Sequence, residues 1–181
     1  MSEQICAVVV TFNRKKLLLE CLRGLLAQSR PLDRILVIDN ASTDGTPATI
    51  AEAFPPAQHP QIHVEVMTVN SGGAGGFARG VELAAQQGFD WIWVMDDDVE
   101  PLPGGLEALL EFRHLSEFIH GVRIGPDGPY RWEALLDLSR PGVFMLPTEM
   151  SFANGQTWVS TRVANFEGAL FSRRIEIGRA S

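Results

Sequence analysis

Three consecutive acids, Asp96, Asp97 and Asp98, follow the apolar run Trp91-Ile92-Trp93-Val94-Met95. Like charges this close repel, so something must relieve them at the end of a buried run. In extended backbone, residues i and i+2 face the same way, which puts Asp96 and Asp98 together on the rim and turns Asp97 to the other side. Two carboxylates on one side suit Mg²⁺ or Mn²⁺, which takes a few carboxylate oxygens and leaves positions for phosphate. A solvated acidic loop would use the same residues. The position at a strand end, rather than in a charge-rich tail, favours the metal.

A second cluster is Gly72-Gly73-Ala74-Gly75-Gly76, with Arg79 one turn further on. Backbone N–H groups at a helix start attract phosphate, and glycine permits close approach. Gly73, Gly75 and Ala78 nearly fit a dinucleotide fingerprint with Asp96 about 20 residues on, but that fingerprint belongs to a first strand–helix unit and this is the third. A flexible turn is the plainer reading. Arg79 could reach a diphosphate or be a surface arginine. Asp39 could accept hydrogen bonds from a base or ribose, or cap its turn with Asn40 and Asp44. Phe12, beside Thr11, could stack on a base or fill the core. No Gly-Lys-Ser/Thr follows the glycines, so a P-loop is excluded, and no Gly-x-Ser-x-Gly occurs. His59, His63, His114 and His120 are scattered without ligand spacing.

These clusters need elements to place them. Ile5–Thr11, Arg34–Asp39, Ile62–Val69 and Trp91–Met95 read as buried strands. Between them run helical patterns. Asn13 caps a first helix with Leu18, Leu22, Leu25 and Leu26 on one face. Thr46-Pro47 is N-cap and N1 of a second. Phe77, Val81, Ala84 and Ala85 are the face of a third, and Pro103–Arg113 is a fourth. Repeated strand–helix–strand units imply a mostly parallel α/β sheet with right-handed crossovers, whose ligands bind at the carboxyl ends of the strands. Thr11–Arg14, Asp39–Asp44, Asn70–Gly76 and Asp96–Asp98 all fall at such ends. Beyond residue 115 the pattern changes. Phe118–Ile124 and Tyr130–Leu138 read as a strand pair around Gly-Pro-Asp-Gly-Pro, Leu138–Gly155 as a loop, and Trp158–Ala164 and Asn165–Arg174 as strands.

The chain of 181 residues, 45% hydrophobic, suits one globular domain. Lys+Arg 15 against Asp+Glu 22 gives a net charge of −7, and without a basic run the chain is not expected to bind nucleic acid. Cys6 and Cys21 lie in apolar segments and read as buried free thiols in a reducing cytoplasm. No signal peptide or spanning run is visible, so a cytoplasmic protein is expected, with peripheral contact at the inner membrane face compatible.

The motifs Val8-Val9-Val10-Thr11-Phe12-Asn13-Arg14, Ile35–Thr46, Asn70–Gly80 and Trp93–Pro101, in that order, resemble the inverting family-two glycosyltransferases of the GT-A fold. They are most similar to the branch with galactofuranosyl- and rhamnosyltransferases. The resemblance is strong over residues 5–103 and resumes over 166–174. It implies a single GT-A-like domain over 1–181, with a nucleotide-sugar-binding half at 1–103 and an incomplete acceptor-side half at 104–181. By similarity, Thr11, Phe12, Asn13 and Arg14 border the base and phosphates, and Asp39 holds the uracil or thymine edge. Asn70, Gly73, Gly76 and Arg79 lie along the nucleotide with Asp97, while Asp96 and Asp98 are the Asp-x-Asp pair for Mn²⁺ or Mg²⁺. The implied partners are a UDP- or dTDP-linked sugar and a glycan or lipid-linked acceptor of a cell wall or surface polysaccharide. The family's acidic motif, which supplies the general base, is not found in 104–181. Glu149 and Glu167 stand as unassigned substitutes. A degenerate transferase or nucleotide-sugar-binding module without turnover, and a homo-oligomer that borrows the missing part, are the alternatives. A sugar-phosphate nucleotidyltransferase ranks lower, since its glycine loop would follow the first strand.

Overall fold

A computed structural model describes residues 3–121 and 168–173, with the backbone of four short strands between them. The chain forms two compact units, residues 1–121 with 167–181, and residues 122–166. The first unit holds strands β1 (Ile5–Thr11), β2 (Arg34–Asp39), β3 (Ile62–Val66), β4 (Trp91–Asp96), β5 (Phe118–His120) and β10 (Ala169–Ser172), with helices α1 (Lys15–Leu26), α2 (Thr46–Ala53), α3 (Gly72–Gln86) and α4 (Gly105–Glu111). The second holds two antiparallel pairs, β6 (Ile124–Gly125) with β7 (Gly128–Pro129) and β8 (Ala134–Leu136) with β9 (Met145–Pro147).

One six-stranded sheet in the order β3-β2-β1-β4-β10-β5 organises the first unit. β1 pairs in parallel with β2 and β4, and β2 in parallel with β3. β10 is antiparallel to both β4 and β5. The alternation of side chains sends Ile5, Ala7 and Val9 into the core with α1, α2 and α4, and Cys6, Val8 and Val10 into the core with α3. Both faces of β1 are therefore apolar, which explains its unbroken hydrophobic run. Each large aliphatic side chain fully buried here contributes about 1.5–3 kcal/mol. The Cys6 and Cys21 thiols are free, and burial pushes both up to about 12.

The helix patterns hold with local shifts. Leu18, Cys21, Leu22 and Leu25 are buried on α1, and Leu26 is half-buried. Asn13 does not cap α1: Arg14 takes that position without a side-chain cap bond. Asn13 is left-handed (φ 55°), and its Oδ1 accepts the Thr43 N–H at 2.8 Å instead. Thr46 is the first residue of α2 rather than its N-cap, which is Gly45 at φ 83°. Asp44 Oδ1 stands in for the cap by accepting the Thr46 N–H at 3.1 Å and O–H at 2.5 Å. β3 ends at Val66, short of the expected Val69, and both valines are exposed. α4 spans only Gly105–Glu111. The Leu138–Gly155 segment is not all loop, because β9 lies within it and pairs with β8. The strand read at Trp158–Ala164 lies outside the described residues, while that at Asn165–Arg174 contains β10.

α3 meets the sheet through glycine. Its buried residues are Gly76, Gly80 and Ala84, at intervals of four, while Phe77 and Val81 flank them half-buried and Ala85 faces solvent. A Cβ on Gly80 would sit 2.4 Å from Val8 Cγ1 and 3.0 Å from Ile38 Cγ1. A Cβ on Gly73 would meet nothing within 4 Å. Gly80→Ala is therefore expected to lower stability by about 1–2 kcal/mol, overpacking outweighing the gain in helix propensity. Gly73→Ala is expected to leave stability unchanged or raise it by up to about 1 kcal/mol. Urea unfolding of both variants beside the wild type measures the contrast, and equal effects would show that α3 does not dock through Gly80.

Candidate active site

The parallel strands bring three loops to one edge. Thr11 lies level with Asp39 across the β1–β2 pair, and Val10 with Asp96 across β1–β4. Asp39 and Asp96 thus flank β1 on either side, about 10 Å apart at two strand spacings.

Asp39 is fully buried. Its Oδ1 accepts the Ser42 N–H at 3.0 Å. Its Oδ2 is buried without a hydrogen-bond partner among the described residues. An orphaned buried carboxylate oxygen is costly, and a ligand donor is one way to satisfy it. The neighbouring Asn40, 2% exposed, ties this loop to the start of α3. Its Nδ2 donates to Gly72 O at 2.8 Å, and its Oδ1 accepts from Ser71 N and Oγ, both at 3.2 Å. Asn13 N donates to Ser42 Oγ at 2.9 Å, which with the Thr43 bond locks the loop after β1 to the loop after β2. Ala41, at φ 63°, is the second left-handed non-glycine residue in this lock. Such backbone costs on the order of 1–3 kcal/mol per residue and tends to cluster at functional sites.

The Asp triplet departs from the alternation expected of it. β4 stops at Asp96, and Asp97 and Asp98 lie in a turn closed by Val99 N–H to Asp96 O at 3.4 Å. Asp97 is the buried member, at 3% exposure, while Asp96 is half-buried and Asp98 exposed. Asp97 Oδ2 accepts the Thr11 O–H at 2.6 Å. Arg14 Nη1 lies 3.5 Å from Asp97 Oδ1 and 3.1 Å from Asp98 Oδ2. Burial raises the Asp97 carboxyl above the ordinary aspartate value, against the opposing pull of Thr11 and Arg14, and Asp98 adds to the rise.

The glycine cluster divides by role. Gly72, at φ 72°, makes the turn, and its N–H bonds Asn70 Oδ1 at 2.8 Å. Gly73 is exposed and open. Gly76 is a packing glycine, since a Cβ there would sit 2.6 Å from Val10 Cγ1 and 3.1 Å from Asn40 Nδ2. Arg79 is ion-paired with Glu65 at 2.9 Å and Glu82 at 3.3 Å. Phe12 is 43% exposed at the rim, next to buried Thr11. Of the residues singled out in the sequence, Phe12, Asn13, Arg14, Asn70, Gly73 and Asp98 present surface at this edge, whereas Thr11, Asp39, Gly76 and Asp97 are buried behind it.

Two contributors escape a sequence reading. Asn40 is one; it sits in a turn cluster where any Asn reads as turn chemistry. The other is Gln28, 5% exposed, whose Nε2 donates to Gly24 O and Leu102 O at 2.9 Å and whose Oε1 accepts the Leu106 N–H at 3.0 Å. It fastens the end of α1 to the segment that leaves the Asp triplet. Glu149 and Glu167 lie outside the described residues. A groove of about 350 Å³, lined by Glu3, Ile5, Arg30 and Arg113 among others, sits at the amino end of β1. It lies away from the carboxyl edge, where parallel sheets bind ligands.

The raised Asp97 value has a sign that can be measured. The folded state holds the Asp97 proton more tightly than the unfolded chain, so the stability this group lends is greatest below the ordinary aspartate range. It declines as pH rises through the folded value, and is level above it. In buffer free of divalent cations, the stability of wild type minus that of Asp97→Asn is expected to fall as pH rises from about 4 and then flatten. Urea melts of both proteins across pH 4–8 read this difference, and a difference that grows with pH would contradict the burial of Asp97.

Comparison with known proteins fits this geometry. The chain is 40% identical over 100 residues to galactofuranosyltransferase GlfT1 of Mycolicibacterium smegmatis, covering 55% of this chain and 32% of that one. It is 30% identical over 125 residues to undecaprenyl-phosphate mannosyltransferase of Micrococcus luteus, covering 69% and 50%. The chain therefore spans a third to a half of the length of these relatives. The solved structure of residues 1–349 of TarS from S. aureus superposes with a TM-score of 0.65 at 20% identity, over 94% of this chain and 47% of that one. This likeness carries the fold, a GT-A sheet of mostly parallel strands with antiparallel strands entering from the C-terminal part. The glycosyl transferase family 2 model matches residues 6–175, and the chain belongs to that family of glycosyltransferases.

Proposed function

We propose that the chain carries the donor half of an inverting glycosyltransferase that takes a sugar from a UDP- or dTDP-linked donor. Its acceptor is a glycan or lipid-linked acceptor of a cell wall or surface polysaccharide. The observation that carries this reading is the orphaned Oδ2 of buried Asp39, two strands from the acidic triplet on the same edge. An acceptor atom without a donor suits the N3–H of uracil or thymine, and the strand spacing separates it from the acids much as a base is separated from its diphosphate. Phe12, exposed beside it, is free to stack on the base. Asn13, Arg14, Asn70 and Gly73 offer donors and open backbone at this edge, whereas Gly76 is packed against Val10 and Arg79 is held by Glu65 and Glu82. The relatives' names support the acceptor class: one is named undecaprenyl-phosphate mannosyltransferase. TarS, of the same fold, has been solved with UDP-GlcNAc.

Among the described residues, no three His, Cys, Asp or Glu side chains gather closely enough to hold a metal alone. Asp97 is turned away to Thr11, and the Asp-x-Asp pair is Asp96, half-buried, and Asp98, exposed. Their oxygens are hard donors, and Asp98 is exposed, so the pair fits Mg²⁺ or Mn²⁺ whose other positions are filled by phosphate and water. Bound there, the ion would neutralise charge developing on the leaving diphosphate. Arg14, already against Asp98, would add a second positive charge on that side. Among the described residues, no helix is long and apolar enough to cross a membrane. A lipid-linked acceptor would be met at the inner membrane face.

A panel of nucleoside diphosphates and their sugars, with and without Mn²⁺, tests the reading. UDP or dTDP with Mn²⁺ is expected to raise the melting temperature by several degrees, and Asp98→Ala to abolish the part that depends on metal. Asp39→Asn keeps the Ser42 bond but places an N–H₂ where an acceptor is needed, and should weaken nucleotide binding roughly tenfold or more. Absence of a shift with either nucleotide would overturn the assignment.

A further inference from the structure

We propose that Asp97 binds no ligand and instead acts with Thr11 as a buried strut that positions Asp98. The inference rests on the proposed role of Asp98 at a divalent cation, and it reassigns Thr11 and Asp97 from lining the nucleotide to holding the turn.

Both oxygens of Asp97 already face protein donors. Oδ2 accepts the Thr11 O–H at 2.6 Å, and Oδ1 faces Arg14 Nη1 at 3.5 Å. The Thr11 and Asp97 side chains belong to residues only 2% and 3% exposed, so a phosphate or sugar hydroxyl at the rim does not meet them. The turn itself is loosely closed, since its backbone bond from Val99 N–H to Asp96 O is 3.4 Å long. The side chain of Asp97 adds a shorter bond that anchors the turn to β1. Thr11 is well placed to be the other end. It is the last residue of β1, one step beyond Val10, and Val10 pairs with Asp96. Its hydroxyl thus stands level with the first residue past the end of β4. Threonine on a buried strand has a restricted χ1, so the hydroxyl is aimed before any ligand arrives. Arg14 shares its Nη1 between Asp97 and the exposed Asp98, and so ties the anchored acid to the presented one. Arg14 bonds Asp98 itself, a kind of support that typically tunes metal affinity by about 10–100-fold, and Thr11 acts one link further back through Asp97.

Three variants test the strut. Thr11→Val keeps the shape of the β-branched side chain and removes only the donor. Thr11→Ser restores the donor. Asp97→Asn keeps the bulk but loses the charge that holds Arg14. Free Mn²⁺ is measured by electron paramagnetic resonance at saturating UDP or dTDP, whichever the wild type binds more tightly. Nucleotide binding without metal is measured alongside by calorimetry, well below the melting temperature. Thr11→Val is expected to weaken Mn²⁺ binding by about tenfold or more and to change metal-free nucleotide binding less than about twofold. Thr11→Ser should return within about threefold of wild type, and Asp97→Asn should weaken Mn²⁺ binding as well. Wild-type Mn²⁺ affinity in Thr11→Val, or loss in Thr11→Val that Thr11→Ser does not repair, would overturn the strut. Asp98→Ala separates the two levels. If it binds Mn²⁺ as the wild type does, the cation role of Asp98 falls and the strut's purpose with it. If it is impaired while Thr11→Val is not, the strut alone falls.

Discussion

Everything at the carboxyl edge depends on the register of β1 with its two parallel neighbours. Because β1 pairs with β2 on one side and β4 on the other, backbone hydrogen bonds set the ends of three strands against one another. A slip of one residue would send each side chain to the opposite face. The core forbids that slip, since Val8 and Ile38 must receive Gly80 of α3 while Ala7 and Val9 pack on α1. Apolar packing therefore fixes the place of the polar edge. The orphaned oxygen of Asp39 and the buried carboxylate of Asp97 persist because the hydrophobic sheet beneath them cannot rearrange to relieve them.

Much of the first unit was legible from periodicity. β1, β2 and β4 announce themselves as unbroken apolar runs because each is covered on both faces, and α1 as a leucine stripe because one face is covered. The gathering of polar clusters at one edge also followed, because parallel strands can arrange their loops in few ways. The misreadings share a physical cause. Strand alternation does not reach Asp98, because the ladder ends at Asp96 and a turn obeys other geometry. Asn13 looked like a helix cap because local chemistry favours it, but its side chain is claimed by Thr43, which lies thirty residues away.

The glycines show the same limit from another side. A glycine that lets a ligand approach and a glycine that lets a helix lie close to a sheet have the same sequence signature, the absence of a side chain. Only the neighbouring atoms separate Gly73, with open space above it, from Gly76 and Gly80, wedged against Val10 and Val8. The long-range bonds of Asn40 and Gln28 were invisible for a similar reason. Each comes from a single polar residue whose partners lie far along the chain, and no local pattern records such bonds.

The place of β10 carries a consequence for how the chain folds. β10 lies between β4 and β5, and among the described strands β5 joins the sheet through β10. The described pairing of residues 118–120 with the sheet thus waits for residues 169–172, some fifty positions later. Until then β4, with Trp91, Ile92, Trp93 and Val94, is an open edge rich in residues that favour strand pairing. Insertion of a late strand into the middle of a sheet is a non-local step and a slow one. The apolar run that roots the acidic triplet is thus also the segment most exposed to wrong pairing during folding, and β10 is what ends that exposure.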